Sequence, residues 1–210
     1  MTIRLYDFWR SSAAYRVRVA LNLKGLAYES VQTSLLAGAN RAPDYLAKNP
    51  QGFVPMLEID GLHLTQSLAI MDYLDAHTPE PAFVPHDPAA RSRVLAMALV
   101  IAADIHPVNN LRILNYMKDV LGQDQAAIEN WYRHWVSEGL AALEAMADSA
   151  QPFLGGDAPG FADICLVPQM YNARRFQTPL DAFPTLVRID AACVALAAFA
   201  AAHPDMVKPA

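Results

Sequence analysis

Three short residue pairs, in order along the first third of the chain, could handle a thiol, an extended peptide or an anion. Ser11-Ser12 falls between a predicted first strand and a predicted first helix. A hydroxyl at such a turn faces the helix N-terminus, where positive potential lowers the pKa of a nearby thiol. No cysteine occupies the turn, so a thiolate there must arrive with a ligand. Val54-Pro55 follows Asn49-Pro50-Gln51-Gly52, a tight turn feeding a sheet edge. A cis bond at Val54-Pro55 would turn the Val54 N–H and C=O outward, ready for an extended peptide; taken alone, the pair reads more simply as a strand-initiating proline. Gln66-Ser67 opens a third predicted helix, whose first N–H groups attract carboxylates. Each group alone is an ordinary cap or turn. Their order along the chain is what carries information.

The rest of the composition narrows the classes. The chain has 210 residues and a net charge of −5, with no basic stripe, which argues against nucleic acid. Arginines nonetheless gather at Arg10, Arg16 and Arg18, at Arg112, and at Arg174 and Arg175. The plain reading of any one of them is a solvated helix face; together they suit small anions. Two cysteines, Cys165 and Cys193, cannot make a disulfide scaffold, so a reducing cytoplasm is expected. No Cys/His spacing suggests a metal. No secretory leader is read at the N-terminus, and no membrane span is expected.

The elements that must position these groups have two grammars. Residues 3–7 and 28–33 alternate as strands, and 12–24 reads as a helix closed by Gly25. A short helix is expected at 44–47. Residues 54–59 and 63–65 flank Asp60-Gly61, a hairpin signal, and a helix follows to His77. The predicted order is β-α-β-α-β-β-α. Pro79, Pro81, Pro85 and Pro88 then mark a linker. Beyond it the pattern is helical throughout: 89–121 with a kink at Pro107, 123–148, 161–175 and 185–202. The expected division is a small α/β domain over 1–80, a linker over 81–88 and an all-helical domain over 89–210.

With the elements in place, SSAAYRVRVALNLKG (11–25) resembles the signature S-S-C-x-W-R-V-R-I-A-L of the zeta class of glutathione transferases. NPQGFVPML (49–57), QSLAIMDYLD (66–75) and FADICLVPQMYNARRF (161–176) resemble further zeta segments, and DIHPVNNLRILNYMK (104–118) is similar to the bacterial maleylpyruvate isomerase branch. The resemblance spans nearly the whole chain. It implies a thioredoxin-like N-terminal domain and an all-helical C-terminal domain, glutathione as cofactor, a homodimer, and cis–trans isomerisation of a small anionic diketo acid, maleylacetoacetate or maleylpyruvate. It further implies that Ser11 favours the glutathione thiolate with help from Ser12, that Val54 pairs with the cysteinyl backbone, and that Gln66 and Ser67 hold the γ-glutamyl end. Asn40, His106, Asn110 and Arg112 would complete the glutathione site, His106 and Asn110 being four apart on one face of a kinked helix. Arg10 and Arg175 would face the substrate.

Addition of a thiolate to a cis C=C bond makes a single bond that can turn, and elimination gives the trans isomer. Guanidiniums suit both the substrate's carboxylates and the charge that develops on its carbonyl. Three departures from the resemblance stand out. The signature Cys is Ala13 and the signature Trp is Tyr15. Gly160 stands where a Ser or Thr usually caps the 161–175 helix, at an expected cost of a few tenths of a kcal/mol. The rival readings are a general zeta-class transferase or dehalogenase that keeps the conjugate, which needs fewer arginines, and a non-catalytic binding module, which could dispense with Ser11, Gln66 and Ser67.

Overall fold

The chain is described here from a computed structural model covering residues 2–209. Strand β1 (Arg4–Asp7) leads into helix α1 (Ser12–Leu23), then β2 (Glu29–Gln32), a 3-10 turn at Ala39–Arg41, α2 (Pro43–Lys48), β3 (Met56–Ile59), β4 (Leu62–Thr65) and α3 (Ser67–His77). The four strands form one sheet in the order β2-β1-β3-β4. β1 runs parallel to β2 and antiparallel to β3, and Tyr6 pairs with Met56. The β3–β4 hairpin turns on Asp60 and Gly61, both at positive φ, as an Asp-Gly connection requires. The predicted order of elements in this part is the observed one.

Helix α1 is buried along almost its whole length, from Ser12 to Leu21. Its two arginines do not make a solvated face, contrary to the plain reading of the sequence. Arg16 is 1% exposed and Arg18 is fully buried. Arg18 Nη1 donates to both Asp7 carboxylate oxygens at 2.7 and 2.9 Å, Nη2 to the Trp9 carbonyl at 3.0 Å, and Nε to the Ala202 carbonyl at 3.0 Å. Burial pushes the Asp7 carboxyl up from its ordinary value, with Arg18 pulling against it.

The second part holds α4 (Pro88–Leu99), a widened π-helical turn (Val100–Ile105), α5 (His106–Val108), α6 (Leu111–Asp119), α7 (Gln125–Met146), α8 (Phe161–Arg175) and α9 (Pro184–Val194); α10 (Ala197–Ala202) and α11 (Pro204–Val207) end the chain. Two compact units result, one reaching to Ala82 and resumed from Ala195, the other running from Phe83 to Val194. The sequence expectation ran the helical domain through to residue 210. The chain instead breaks before Ala197 because α10 seats on α1: Asn22 donates to the Ala198 carbonyl at 2.9 Å and Arg18 to that of Ala202.

The expected single helix over 89–121 is four pieces. Pro107 lacks an N–H and crowds the carbonyl four residues back, and the ladder upstream widens so that His106 N–H reaches Ile101 O. Asn110 then takes an extended backbone and caps α6, accepting from Arg112 N–H at 3.1 Å. An 18-residue window within the run Pro88–Asp119 has a mean hydropathy of 1.5, enough by length and composition alone to cross a membrane, where the sequence reading expected no span.

Gly160 also departs from expectation. A Cβ there would lie 2.5 Å from the Phe83 carbonyl oxygen, so glycine is required by close approach rather than tolerated as a weak cap. The cap is supplied by Asp163, which accepts from Gly160 N–H at 3.0 Å and Leu154 N–H at 2.8 Å.

Replacing Arg18 by Met should leave Asp7 buried without its cation and cost about 3–5 kcal/mol in urea unfolding. The Asp7→Asn, Arg18→Met double variant should lose less than the sum of the single losses. Additive losses would mean that the two side chains do not act as a pair.

Candidate active site

The first unit brings three loops to one end of its sheet through side chains that bind backbone carbonyls. At the β1–α1 turn, Ser11 is the N-cap: its N–H donates to Phe8 O at 2.7 Å and its Oγ accepts from Ala14 N–H at 3.2 Å. An oxygen that already accepts there keeps its own hydrogen for donation outward. Ser12 is buried in the first helical turn. The Arg10 guanidinium lies 5.3 Å from the Trp9 ring centre and the Lys208 ammonium 5.4 Å from the same ring. Two cations therefore sit beside the serine turn.

The Val54-Pro55 bond is cis. The segment before it is held by its carbonyls: Asn40 Nδ2 donates to Gly52 O at 2.6 Å, while Tyr45 OH and Asn49 Nδ2 donate to Phe53 O at 2.5 and 2.8 Å. Gly52 has φ +63, and a Cβ there would lie 2.9 Å from Asn40 O, so the turn requires glycine. Phe8, Tyr45, Val54 and Met56 form a small apolar cluster behind the turn. Burial raises the Tyr45 hydroxyl to about 12, which keeps it a donor.

At α3 the N-cap residue is Gln66, with φ +67 and ψ 116, a region that non-glycine residues seldom adopt. Gln66 Nε2 donates to Gln51 Oε1 at 2.7 Å, which links this loop to the turn before Val54. Ser67, buried in the first turn of α3, accepts from Arg16 Nη1 at 3.2 Å.

The remaining candidates lie on the second unit. His106 begins α5, whereas Asn110 stands outside any helix as the cap of α6. The two do not share a helical face, because the chain unwinds at Asn109 between them. Arg112 is exposed in the first turn of α6. Arg175 ends α8 with its guanidinium 4.7 Å from the Phe176 ring centre, and Phe176 stacks on Tyr132 at 3.7 Å. Burial holds the Tyr132 hydroxyl up at about 12, with the Arg175 charge pulling it down. Arg174 is committed to Asp190 at 2.6 Å.

Sequence reasoning did not single out Arg16, Tyr45 or Asn49 for the site. Asn49 had a signal in the Asn-Pro-Gln-Gly turn. Tyr45 had none, and Arg16 had only its place in the Arg10, Arg16 and Arg18 cluster, since only the fold turns them toward Ser67 and Phe53.

The chain's own thiols are withheld from this chemistry. Cys165 and Cys193 are both buried and neither is in a disulfide. Burial and the neighbouring Asp163 push the Cys193 thiol well above its ordinary value. The serine turn thus fits a thiol brought by a ligand.

A mixed four-stranded sheet with this order, followed by an all-helical unit, defines a glutathione transferase fold. Residues 1–76 match the family model described as glutathione S-transferase, N-terminal domain. Maleylacetoacetate isomerase of Rhizobium meliloti (strain 1021) is 52% identical, covering 98% of this chain and 97% of that protein. A maleylpyruvate isomerase structure, described as a bacterial glutathione S-transferase of the zeta class in holo form, superposes with a TM-score of 0.94 at 41% identity, covering 99% of both chains. Maleylacetoacetate isomerase of Anaeromyxobacter dehalogenans 2CP-1, solved with glutathione in its active site, gives 0.88 at 46% identity, covering 100% of this chain and 98% of that one. This chain belongs to the zeta-class maleylacetoacetate/maleylpyruvate isomerase family of glutathione transferases.

Neither cysteine should react with a disulfide reagent in the native protein over minutes at neutral pH, and both should titrate once it is unfolded. A fast native thiol would place a second nucleophile within reach of electrophiles.

Proposed function

We propose that this protein is a glutathione-dependent cis–trans isomerase of a maleyl diketo acid, maleylacetoacetate or maleylpyruvate. The observation that carries the reading is the Ser11 turn: a hydroxyl at the N-terminus of α1 with its hydrogen available and no thiol of the chain's own beside it. The names of the full-length relatives narrow the substrate. Bound glutathione supplies the thiol that adds to the cis double bond and leaves after rotation. In this reading Ser11 donates to the thiolate sulfur and the α1 dipole favours its charge, with Ser12 in support.

Val54 offers its backbone to the cysteinyl unit. Gln66 and Ser67, with the first N–H groups of α3, receive the γ-glutamyl carboxylate. Asn40, whose amide already holds Gly52 O, serves glutathione by fixing the Val54 turn. His106, Asn110 and Arg112 are assigned to the cofactor side by resemblance, each from its own short element. Arg10 and Arg175 are assigned to the substrate, where guanidinium forks match carboxylates and the negative charge that develops on the carbonyl.

A homodimer is part of the proposal. The resemblance implies it, and an open groove along α4 lined by Pro88, Arg91, Ser92, Leu95, Ala96 and Leu99 is one exposed surface a second copy would meet. Two buried cysteines outside any disulfide suit the reducing cytoplasm.

The test is a spectrophotometric assay of both diketo acids with and without glutathione, in which turnover should require it. Ser11→Ala should raise the thiol pKa of bound glutathione and lower kcat by about 10²–10³-fold. Arg175→Ala should slow the diacid far more than a neutral electrophile. Equal losses on both substrates would remove Arg175 from substrate selection, and better turnover of aryl halides than of diketo acids would favour a general conjugating transferase.

A further inference from the structure

Arg16 has no place in the proposal above, yet it is one of the largest fully buried side chains in the protein, at 1% exposure. It sits on α1, four residues beyond Ser12, and its Nη1 donates to Ser67 Oγ at 3.2 Å, a buried bond linking α1 to the first turn of α3.

The direction of that bond has a consequence. A guanidinium has only donors and keeps its charge at any working pH, so Ser67 Oγ must be the acceptor. A hydroxyl carries one hydrogen. With the guanidinium on its lone pair, that hydrogen is turned away from Arg16 and can only be offered to something else. Ser67 is thereby fixed as a donor. The location compounds the effect. The first turn of a helix carries positive potential from its free N–H groups, and Arg16 brings a buried unit charge to the same turn. Two like potentials at one place favour a negative ligand there. The backbone agrees, because Gln66 is held at φ +67, a conformation that persists only when its surroundings over-determine it. Its side chain is tied to Gln51 at 2.7 Å.

We infer that Arg16 is a positioning residue for the γ-glutamyl carboxylate of glutathione, acting through Ser67: it orients the Ser67 hydroxyl as a donor and adds a buried positive charge behind the start of α3. This rests on the reading of Ser67 as a glutathione contact. A bond from an oriented hydroxyl to a carboxylate is charge-assisted, so its loss is read as about a 10- to 100-fold weakening of binding.

The experiment compares glutathione with an analogue in which 4-aminobutyrate replaces the glutamyl unit, so that only the α-carboxylate is removed while the amine and the carbon stem are kept. Wild type, Arg16→Met and Arg16→Lys are examined by calorimetric binding and by isomerase kinetics. Wild type should bind glutathione about 10- to 100-fold more tightly than the analogue. Arg16→Met should lose most of that preference, raising KM for glutathione while kcat at saturation changes little. Arg16→Lys, which keeps the charge without the planar fork, should fall between them. A folded Arg16→Met that keeps the full preference overturns the role of Arg16 and leaves the Ser67 reading standing. A wild type with no preference overturns both. Should neither Arg16 variant fold, a crystal structure of the wild-type glutathione complex decides: Ser67 Oγ within hydrogen-bond distance of both Arg16 Nη1 and the carboxylate is expected, and a carboxylate elsewhere overturns the inference.

Discussion

The first unit depends on one buried ion pair. Asp7 ends β1, Arg18 lies in the middle of α1, and both are fully buried. Taking two charges out of water is costly, and such a pair adds little net stability over an apolar one. What it supplies is geometry. The fork binds both oxygens of Asp7, the carbonyl of Trp9 and the carbonyl of Ala202, so one side chain fixes the end of β1, the turn before Ser11 and the last turn of α10. Any shift of α1 along the sheet would break all of these together. The Ser11 hydroxyl is therefore set by a rigid element rather than by its loop, the condition under which a hydroxyl can hold a reacting atom within a fraction of an ångström.

The other two loops are pinned by the same device, a side-chain donor on a backbone carbonyl. Irregular backbone near a site has no ladder to satisfy it, and three residues from the segment before β3, Asn40, Tyr45 and Asn49, take the Gly52 and Phe53 carbonyls. Gln66 and Gln51 then couple the α3 cap to that segment. Ser67 is bound to α1 through Arg16. The Ser11 turn, the Val54 turn and the start of α3 are thus joined in a cycle of contacts: α1 to the start of α3, α3 to the Val54 turn, β3 to β1, and β1 back to α1.

The order of elements up to His77 was legible because each had a local cause: alternation in the strands, a hairpin at Asp60-Gly61, a capping hydroxyl at Ser11. The positions of Ser11, Val54 and Gln66-Ser67 were legible for the same reason. Three things were not. The burial of Arg16 and Arg18 has no sequence signal, since an arginine on a helix reads the same whether its face meets water or a carboxylate from a strand eleven residues earlier. The break before Ala197 falls in an alanine-rich run with high helix propensity, where only the donors of α1 give a reason to stop. His106 and Asn110 satisfied a spacing rule that assumes an unbroken helix, and Pro107 removed that assumption.

The replacement of the signature cysteine by Ala13 follows from the same physics. Position 13 lies in the first turn of α1, where the free N–H groups lower the pKa of a thiol, and Ala13 is itself nearly buried there. A cysteine at that place would sit where a thiol ionises readily, beside the site proposed for an electrophilic conjugated acid. With alanine the turn presents hydroxyls only, and the remaining cysteines lie buried in α8 and α9, one of them against the Asp163 carboxylate. A hydroxyl can stabilise a thiolate by donation without competing with it as a nucleophile, since its own ionisation lies far above neutral pH. In the proposed function the reactive sulfur comes and goes with the cofactor, and the protein keeps only the donors and charges proposed to hold it.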